Sequence, residues 1–269
     1  MWQIETIIML LLAGSLTGFI AGLLGLGGGL LIVPVVLWAL QMHGFGASEH
    51  VQHLAVGTSF AVMVFTSFSS ARAQHKKGAV DWQVFARMAP GMVVGVALGA
   101  VVARYLPNKG LQVFFAVFCA VIAFRSLMNI QPKPTHHLPG AKGLAAFGGL
   151  FGLLSSWIGI GGGSLSVPFL VSRNVPMHHA VGTSSALGWP VALVGSVGYL
   201  AAGWSSEHLP PGAWGFIYLP AVVILAAATL FFAPLGVKMS HKLPPAQLKK
   251  AFGILLLLIA IKMFWQVFR

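Results

Sequence analysis

"GLGGGLLIVP" occupies positions 25–34 and "GIGGGSLSVP" positions 159–168: one glycine-rich turn, one short apolar run and one proline, written twice 134 residues apart. In a soluble protein, a glycine-rich loop that opens a helix cradles a phosphate. Neither copy ends in the Lys-Ser/Thr of a P-loop. The meaning of the pair therefore depends on the solvent around it.

Composition settles the solvent. The 269 residues are 57% hydrophobic and 7% charged, with a mean hydropathy of +0.88, whereas soluble domains carry about 25% charged residues. Several apolar stretches reach the roughly 20 residues a helix needs to cross the hydrocarbon core, and none alternates like the strands of an outer-membrane barrel. The chain reads as an all-α polytopic membrane protein. "MWQIETIIML" has no basic region and no small-residue cleavage site, so it reads as a retained first helix rather than a signal peptide. The single Cys119 lies in an apolar segment and offers neither a disulfide nor a thiolate metal site. The net charge of +12 is scattered singly through connecting segments, a pattern of membrane topology and not of nucleic-acid binding.

The repeat extends beyond the opening stretch. "AVGTSFA" at 55–61 answers "AVGTSSA" at 180–186, and Leu106, Pro107, Leu111, Phe115 and Arg125 answer Leu243, Pro244, Leu248, Phe252 and Lys262. The chain divides into a first repeat (1–130), a polar, proline-containing linker (131–142) and a second repeat (143–269). Each copy holds five apolar elements, at 4–24, 28–44, 54–71, 84–104 and 111–128, then at 143–158, 163–172, 180–202, 213–236 and 247–266. The stretch 163–172 makes only about 15 Å of helix and cannot cross a core of about 30 Å. It reads as a half-helix or re-entrant segment, tolerated at membrane depth where protein buries it or where it lines a cavity.

Charge predicts how the copies face each other. If the first two elements of each copy form a hairpin broken at the glycines, each copy crosses an odd number of times and the copies are inverted. One side then receives Arg72, Lys76, Lys77, Lys133, Lys142, Arg173, Lys238, Lys242, Lys249 and Lys250. The other receives chiefly Arg104, Lys109 and Arg269, with Glu5, Glu49 and Glu207. The positive-inside rule selects this arrangement, with both termini outside, over a parallel one that splits the basic residues evenly.

Inverted duplication with broken helices at matching positions is the pattern of secondary transporters, whose substrate site lies at the midplane between the repeats. Gly27, Gly28 and Gly29 with Gly161, Gly162 and Gly163 expose backbone N–H groups at two helix starts, where the dipole favours an anion. Thr58, Ser59, Thr183 and Ser184 add hydroxyl donors; the competing reading is back-bonding to the carbonyl one turn earlier. Ser164 and Ser166 replace Leu30 and Ile32, so the site leans toward the second copy. Gly14, Gly18 and Gly22 carry the spacing of close helix packing. His53 and His178 hold equivalent places and are candidates for proton coupling or gating, with the competing reading of interfacial residues that hold a loop. Arg173, beyond the half-helix, is placed to draw an anion inward. No nucleophile, metal cluster or acid/base pair can be assembled, so no catalytic residue, metal or cofactor is expected.

The paired glycine turns, the paired "AVGTS" blocks, "GAVDW" at 78–82 and the "LPxxxL…F" start of each last helix together resemble the sulfite exporter TauE/SafE family of membrane transporters. The resemblance covers essentially the whole chain. It implies a bacterial inner-membrane carrier that exports a small sulfur-containing anion, sulfite or an organosulfonate; the histidines add protons as a candidate coupling ion, and the partners expected are the anion and the bilayer, with no nucleic acid. It fixes neither the anion nor the oligomeric state. An anion-selective channel-like pore with the same turns as a filter is the alternative.

Overall fold

The computed structural model describes residues 4–25, 27–46, 48–128, 137–206, 209–240 and 245–268, with the backbone alone for 245–252 and 266–268. The first five helices are α1 (Ile4–Leu24), α2 (Gly29–Met42), α3 (Val51–Lys76), α4 (Trp82–Ala103) and α5 (Asn108–Leu127). Five more follow: α6 (Ala141–Ile158), α7 (Gly163–Ser172), α8 (Met177–Gly203), α9 (Leu219–Met239) and α10 (Pro245–Phe268). Among the described residues, seven helices are long and apolar enough to cross a membrane: α1, α3, α4, α5, α6, α8 and α9. The protein is thus a polytopic helical membrane protein. Its outward side chains, such as Leu12, Leu16, Leu98, Val101, Phe124 and Phe231, form the large exposed apolar surface that lipid covers.

The element pattern agrees with the hydropathy reading, with three differences. The α3 and α8 helices run to 26 and 27 residues, longer than the apolar stretches 54–71 and 180–202. Polar residues such as Gln52, His53, Gln74 and His75 end a hydropathy peak without ending a helix, which stops only at breakers such as Pro176 and Gly78. The α2 helix is shorter than 28–44, at 14 residues. A two-stranded hairpin, β1 (Ala213–Trp214) with β2 (Ile217–Tyr218), precedes α9. The linker segment 131–136, Leu243, Pro244, Glu207, Lys133, Lys242 and Arg269 lie outside the described residues, as do the side chains of Leu248, Lys249, Lys250 and Phe252.

Small residues set the helix pairs. Gly14, Gly18 and Gly22 of α1 meet Ala228, Thr229 and Ala233 of α9 in rising order, so these two helices run parallel. Gly91, Gly95 and Gly99 of α4 meet Ala145, Gly149 and Ser156 of α6 in the same sense. Backbones approach closely at such sites, which is how helices associate where lipid removes the hydrophobic drive. By contrast α3 and α8 are antiparallel, since Phe60 packs on Gly195 and Ser67 on Gly188. The start of α10 packs on the end of α5, with Gly253 against Ser126 and Leu127. Exchanging α1–α5 with α6–α10 turns each major contact into another: α1 with α9 becomes α6 with α4, α3 with α9 becomes α8 with α4, and α2 with α3 becomes α7 with α8.

These directions place Ile4 and Phe268 at one end of the bundle. The other end gathers Lys76, Lys77, Lys142, Arg173 and Lys238, where the Lys77 Nζ donates to the Val237 carbonyl at 2.7 Å. It is the basic end. Leu138, the start of α4, the end of α7 and the start of α8 meet there in a small apolar cluster.

Candidate functional site

The two glycine turns touch. Gly28 and Gly162 stand before α2 and α7 with φ of 86° and 75° and no side-chain cap. In this left-handed region a β-carbon is penalised, and glycine lets the chain reverse directly into a helix start. A β-carbon on Gly27 would lie 3.5 Å from the Gly161 Cα, and one on Gly29 would overlap the Gly159 carbonyl oxygen. The surrounding groups are Met63, Met92 and Gly188, near the midpoints of α3, α4 and α8. Two helix N-termini therefore meet at mid-depth, and their positive dipole ends converge there. At 1.5 Å per residue, α2 spans about 21 Å and α7 about 15 Å, each too short to cross.

The junction is polar on one side only. The Ser155 and Ser164 hydroxyls are 0% and 4% exposed and have no hydrogen-bond partner among the described residues. Ser155 Oγ lies 3.7 Å from the β-position of Gly162, and Ser164 sits in the first turn of α7. An unpaired buried hydroxyl costs about 1–3 kcal/mol, which a bound acceptor would recover. Ser166 donates to the Gly162 carbonyl at 2.9 Å and its hydroxyl also pairs with that of Ser184. Ser59 donates to the Gly159 carbonyl at 2.9 Å, locking one turn to α3. At the corresponding places of the first half stand Ala21, Leu30 and Ile32. The Met63 thioether lies between the turns, within 3.0 Å of the β-positions of Gly27, Gly29 and Gly161. Sequence reasoning missed Ser155, Met63 and Met92. Only Ser155 left a signal, as the partner of Ala21 at the same 134-residue offset.

The threonines serve the scaffold. Thr183 Oγ1 accepts from the Asp81 N–H at 2.9 Å, and Thr58 Oγ1 accepts from the Tyr218 N–H at 2.9 Å. Asp81 and Tyr218 are the residues before α4 and α9. Beside them, a β-carbon on Gly182 would strike the Ala79 carbonyl and one on Gly57 the Phe216 carbonyl. The Gly-Thr of each "AVGTS" block thus docks the connector of the other repeat: the block at 180–184 takes "GAVDW" at 78–82, and the block at 55–59 takes "GFIYL" at 215–219. Each hydroxyl oxygen is thus engaged as an acceptor, a role the sequence reading did not anticipate. Thr183→Val is expected to leave the Asp81 N–H unpaired, cost about 1–3 kcal/mol and lower the thermal midpoint in detergent, whereas Thr183→Ser behaves as wild type. Thermal unfolding monitored by size-exclusion chromatography checks this.

The remaining sequence candidates lie away from the junction. His53 is buried, its Nε2 2.9 Å from the Ala103 carbonyl and its ring 5.1 Å from that of Phe216, so it ties α3 to the end of α4. His178 is exposed, and its neighbour His179 contacts the Ala79 carbonyl at 3.2 Å. Arg173 ends α7 at the basic end, its guanidinium 5.3 Å from the centre of the Phe169 ring.

Known proteins give the fold a context. The model of the sulfite exporter TauE/SafE family matches residues 10–263. A probable membrane transporter protein of Haemophilus influenzae is 35% identical over 259 residues, covering 96% of this chain and 98% of its own. The probable membrane transporter protein YunE of Bacillus subtilis is 26% identical and covers 96% and 97%. Another from Xylella fastidiosa (strain Temecula1) is 25% identical and covers 98% and 97%. No solved structure matches.

Proposed function

The chain belongs to the sulfite exporter TauE/SafE family, whose members are membrane transporters and not enzymes, and from that premise we propose that it exports a small sulfur oxyanion by alternating access. The anion site is the junction of the Gly27–Gly29 and Gly161–Gly163 turns, with Ser155 and Ser164 as donors. The observation that carries this reading is the pair of buried serine hydroxyls, without a partner among the described residues, beside an uncapped helix start at mid-depth. Fixed donors and dipole ends in low dielectric hold an anion without a charged side chain that would trap it. That the anion is sulfur-based rests on the family's name.

The moving parts are two inverted repeats, 1–130 and 143–269, that rock about this junction. The antiparallel α3/α8 and α5/α10 pairs support inversion, because each joins an element to its own repeat-mate. Positive-inside bias then puts the basic end in the cytoplasm of an inner membrane and both termini in the periplasm. A C-terminal reporter fusion is expected to be active only in its periplasmic form. A cytoplasmic C-terminus would sink the orientation.

The direct test is proteoliposome flux of sulfite, thiosulfate, sulfate and an alkyl sulfonate, with and without a proton gradient. Saturable flux of at least one sulfur anion is expected. A folded protein that moves none in either direction ends the anion-carrier reading.

A further inference from the structure

One face of α3 is polar over half the membrane, and its hydroxyls have no role described so far. Met63, Ser67, Ser70 and Gln74 follow one another at spacings of four, three and four residues, which sets them on one side of the helix. All four are buried, Ser67 at 0% and Ser70 at 2% exposure. The Ser67 and Ser70 hydroxyls have no hydrogen-bond partner among the described residues. Serine and threonine in a membrane helix satisfy themselves on the carbonyl one turn earlier, and neighbouring residues do so: Thr66 bonds the Val62 carbonyl at 3.2 Å and Ser185 the Val181 carbonyl at 2.9 Å. Ser67 and Ser70 do not.

The face starts at the junction and ends at the basic end. Ser67 Oγ lies 3.0 Å from the β-position of Gly188, whose Cα in turn lies 3.3 Å from the β-position of Gly161. From Met63 to Gln74 the helix rises about 16 Å, half of a hydrocarbon core of about 30 Å. His75, Lys76 and Lys77 follow. The opposite half is built otherwise. The positions on α8 that correspond to Ser67, Ser70 and Gln74, 125 residues on, are Ala192, Gly195 and Tyr199. There the Phe60 ring comes within 2.6 Å of the Gly195 β-position, the Phe60 and Tyr199 rings stand 5.8 Å apart, and the Tyr199 hydroxyl donates to the Ser156 carbonyl at 2.8 Å. One half carries serine hydroxyls without a partner among the described residues, and the other is filled by aromatic rings.

We propose that the Ser67–Ser70–Gln74 face of α3 lines the anion's route between the glycine junction and the basic end of the protein. It rests on the anion-carrier reading and names the path that reading requires. Neutral donors suit such a path, because a permeating ion must be held well enough to enter and weakly enough to leave. The lysines at its mouth raise the local anion concentration.

The test uses Ser70→Cys and, as a lipid-facing control, Phe68→Cys, each in a Cys119→Ala background in proteoliposomes. Two methanethiosulfonate reagents are applied from either side, one bearing a sulfonate and one a trimethylammonium group. Ser70→Cys is expected to react from the basic end alone, at least tenfold faster with the anionic reagent, and more slowly in excess methanesulfonate. Reaction no faster than at Phe68→Cys, or equal with both reagents, overturns the route. Ser70→Ala supplies a measurement that needs no thiol: its flux is expected to fall about tenfold with an unchanged elution profile, and wild-type flux overturns the route. The two readings fail separately. A protein that labels selectively but moves no sulfur anion keeps the route and loses the substrate, while flux through a protein whose Ser70→Cys stays unlabelled loses the route alone.

Discussion

Gly29→Ala is expected to abolish transport and to lower the thermal midpoint of the detergent-solubilised protein by several degrees. A β-carbon there would overlap the Gly159 carbonyl oxygen and stand 2.8 Å from the Ile160 Cα and the Met63 Sδ. Two of the three obstacles are backbone, so no rotamer change relieves them. Overpacking usually costs about 1–3 kcal/mol, and this case falls at the upper end because the two turns must separate. Gly162→Ala makes the contrast. Its φ of 75° imposes about 1–2 kcal/mol on an L-residue, but the β-carbon meets chiefly the Met92 methyl, the end of a flexible side chain. That variant is expected to fold and to transport slowly, and Met92→Ala added to it restores part of the rate. Thermal unfolding and proteoliposome flux on the same preparations separate the two cases. A Gly29→Ala protein with wild-type stability and flux would show that the turns do not meet as described.

The sequence carried the junction because its ingredients are local. Two glycine turns, a half-helix of ten residues and a serine-rich second copy are each visible in a dozen consecutive residues. What it did not carry is pairing at long range. Thr58 and Thr183 find their partners 160 and 102 residues away, and nothing near either threonine announces them. Their connectors, "GAVDW" and "GFIYL", share one glycine, so the second is recognised as a counterpart of the first only after both are seen docked on equivalent threonines. Helix ends were blurred for a different reason. Hydropathy reports the solvent of a segment, whereas helicity persists through polar residues until a glycine or proline stops it, as at Gly78 and Pro176. Met63 illustrates a third limit: in an apolar helix one more methionine carries no mark of having the other glycine turn against it.

Removing both unpaired serine hydroxyls tests whether the junction binds an anion or merely packs. In Ser155→Ala with Ser164→Ala, the cavity change is one oxygen atom at each site and no existing hydrogen bond is broken, since neither hydroxyl has a partner among the described residues. The two readings then diverge in transport and not in stability. If the residues are only structural, deleting unsatisfied buried polar atoms leaves stability equal or raises it, and flux is unchanged. If they hold the anion, stability is likewise equal or higher while binding is lost, because a hydrogen bond to a charged group contributes about 1.5–3 kcal/mol. Each hydroxyl then accounts for roughly tenfold or more in KM, at about 1.4 kcal/mol per decade. The expected result for the double variant is a KM raised about a hundredfold or more in proteoliposomes, with an unchanged elution profile and a thermal midpoint no lower than wild type. The corresponding first-half exchange, Ala21→Ser with Leu30→Ser, is not expected to compensate, because those positions flank the Gly28 turn and not the Gly162 turn. Wild-type KM in the serine-deleted protein would assign the polarity of this half to packing and leave the helix dipoles as the anion's sole support at the junction.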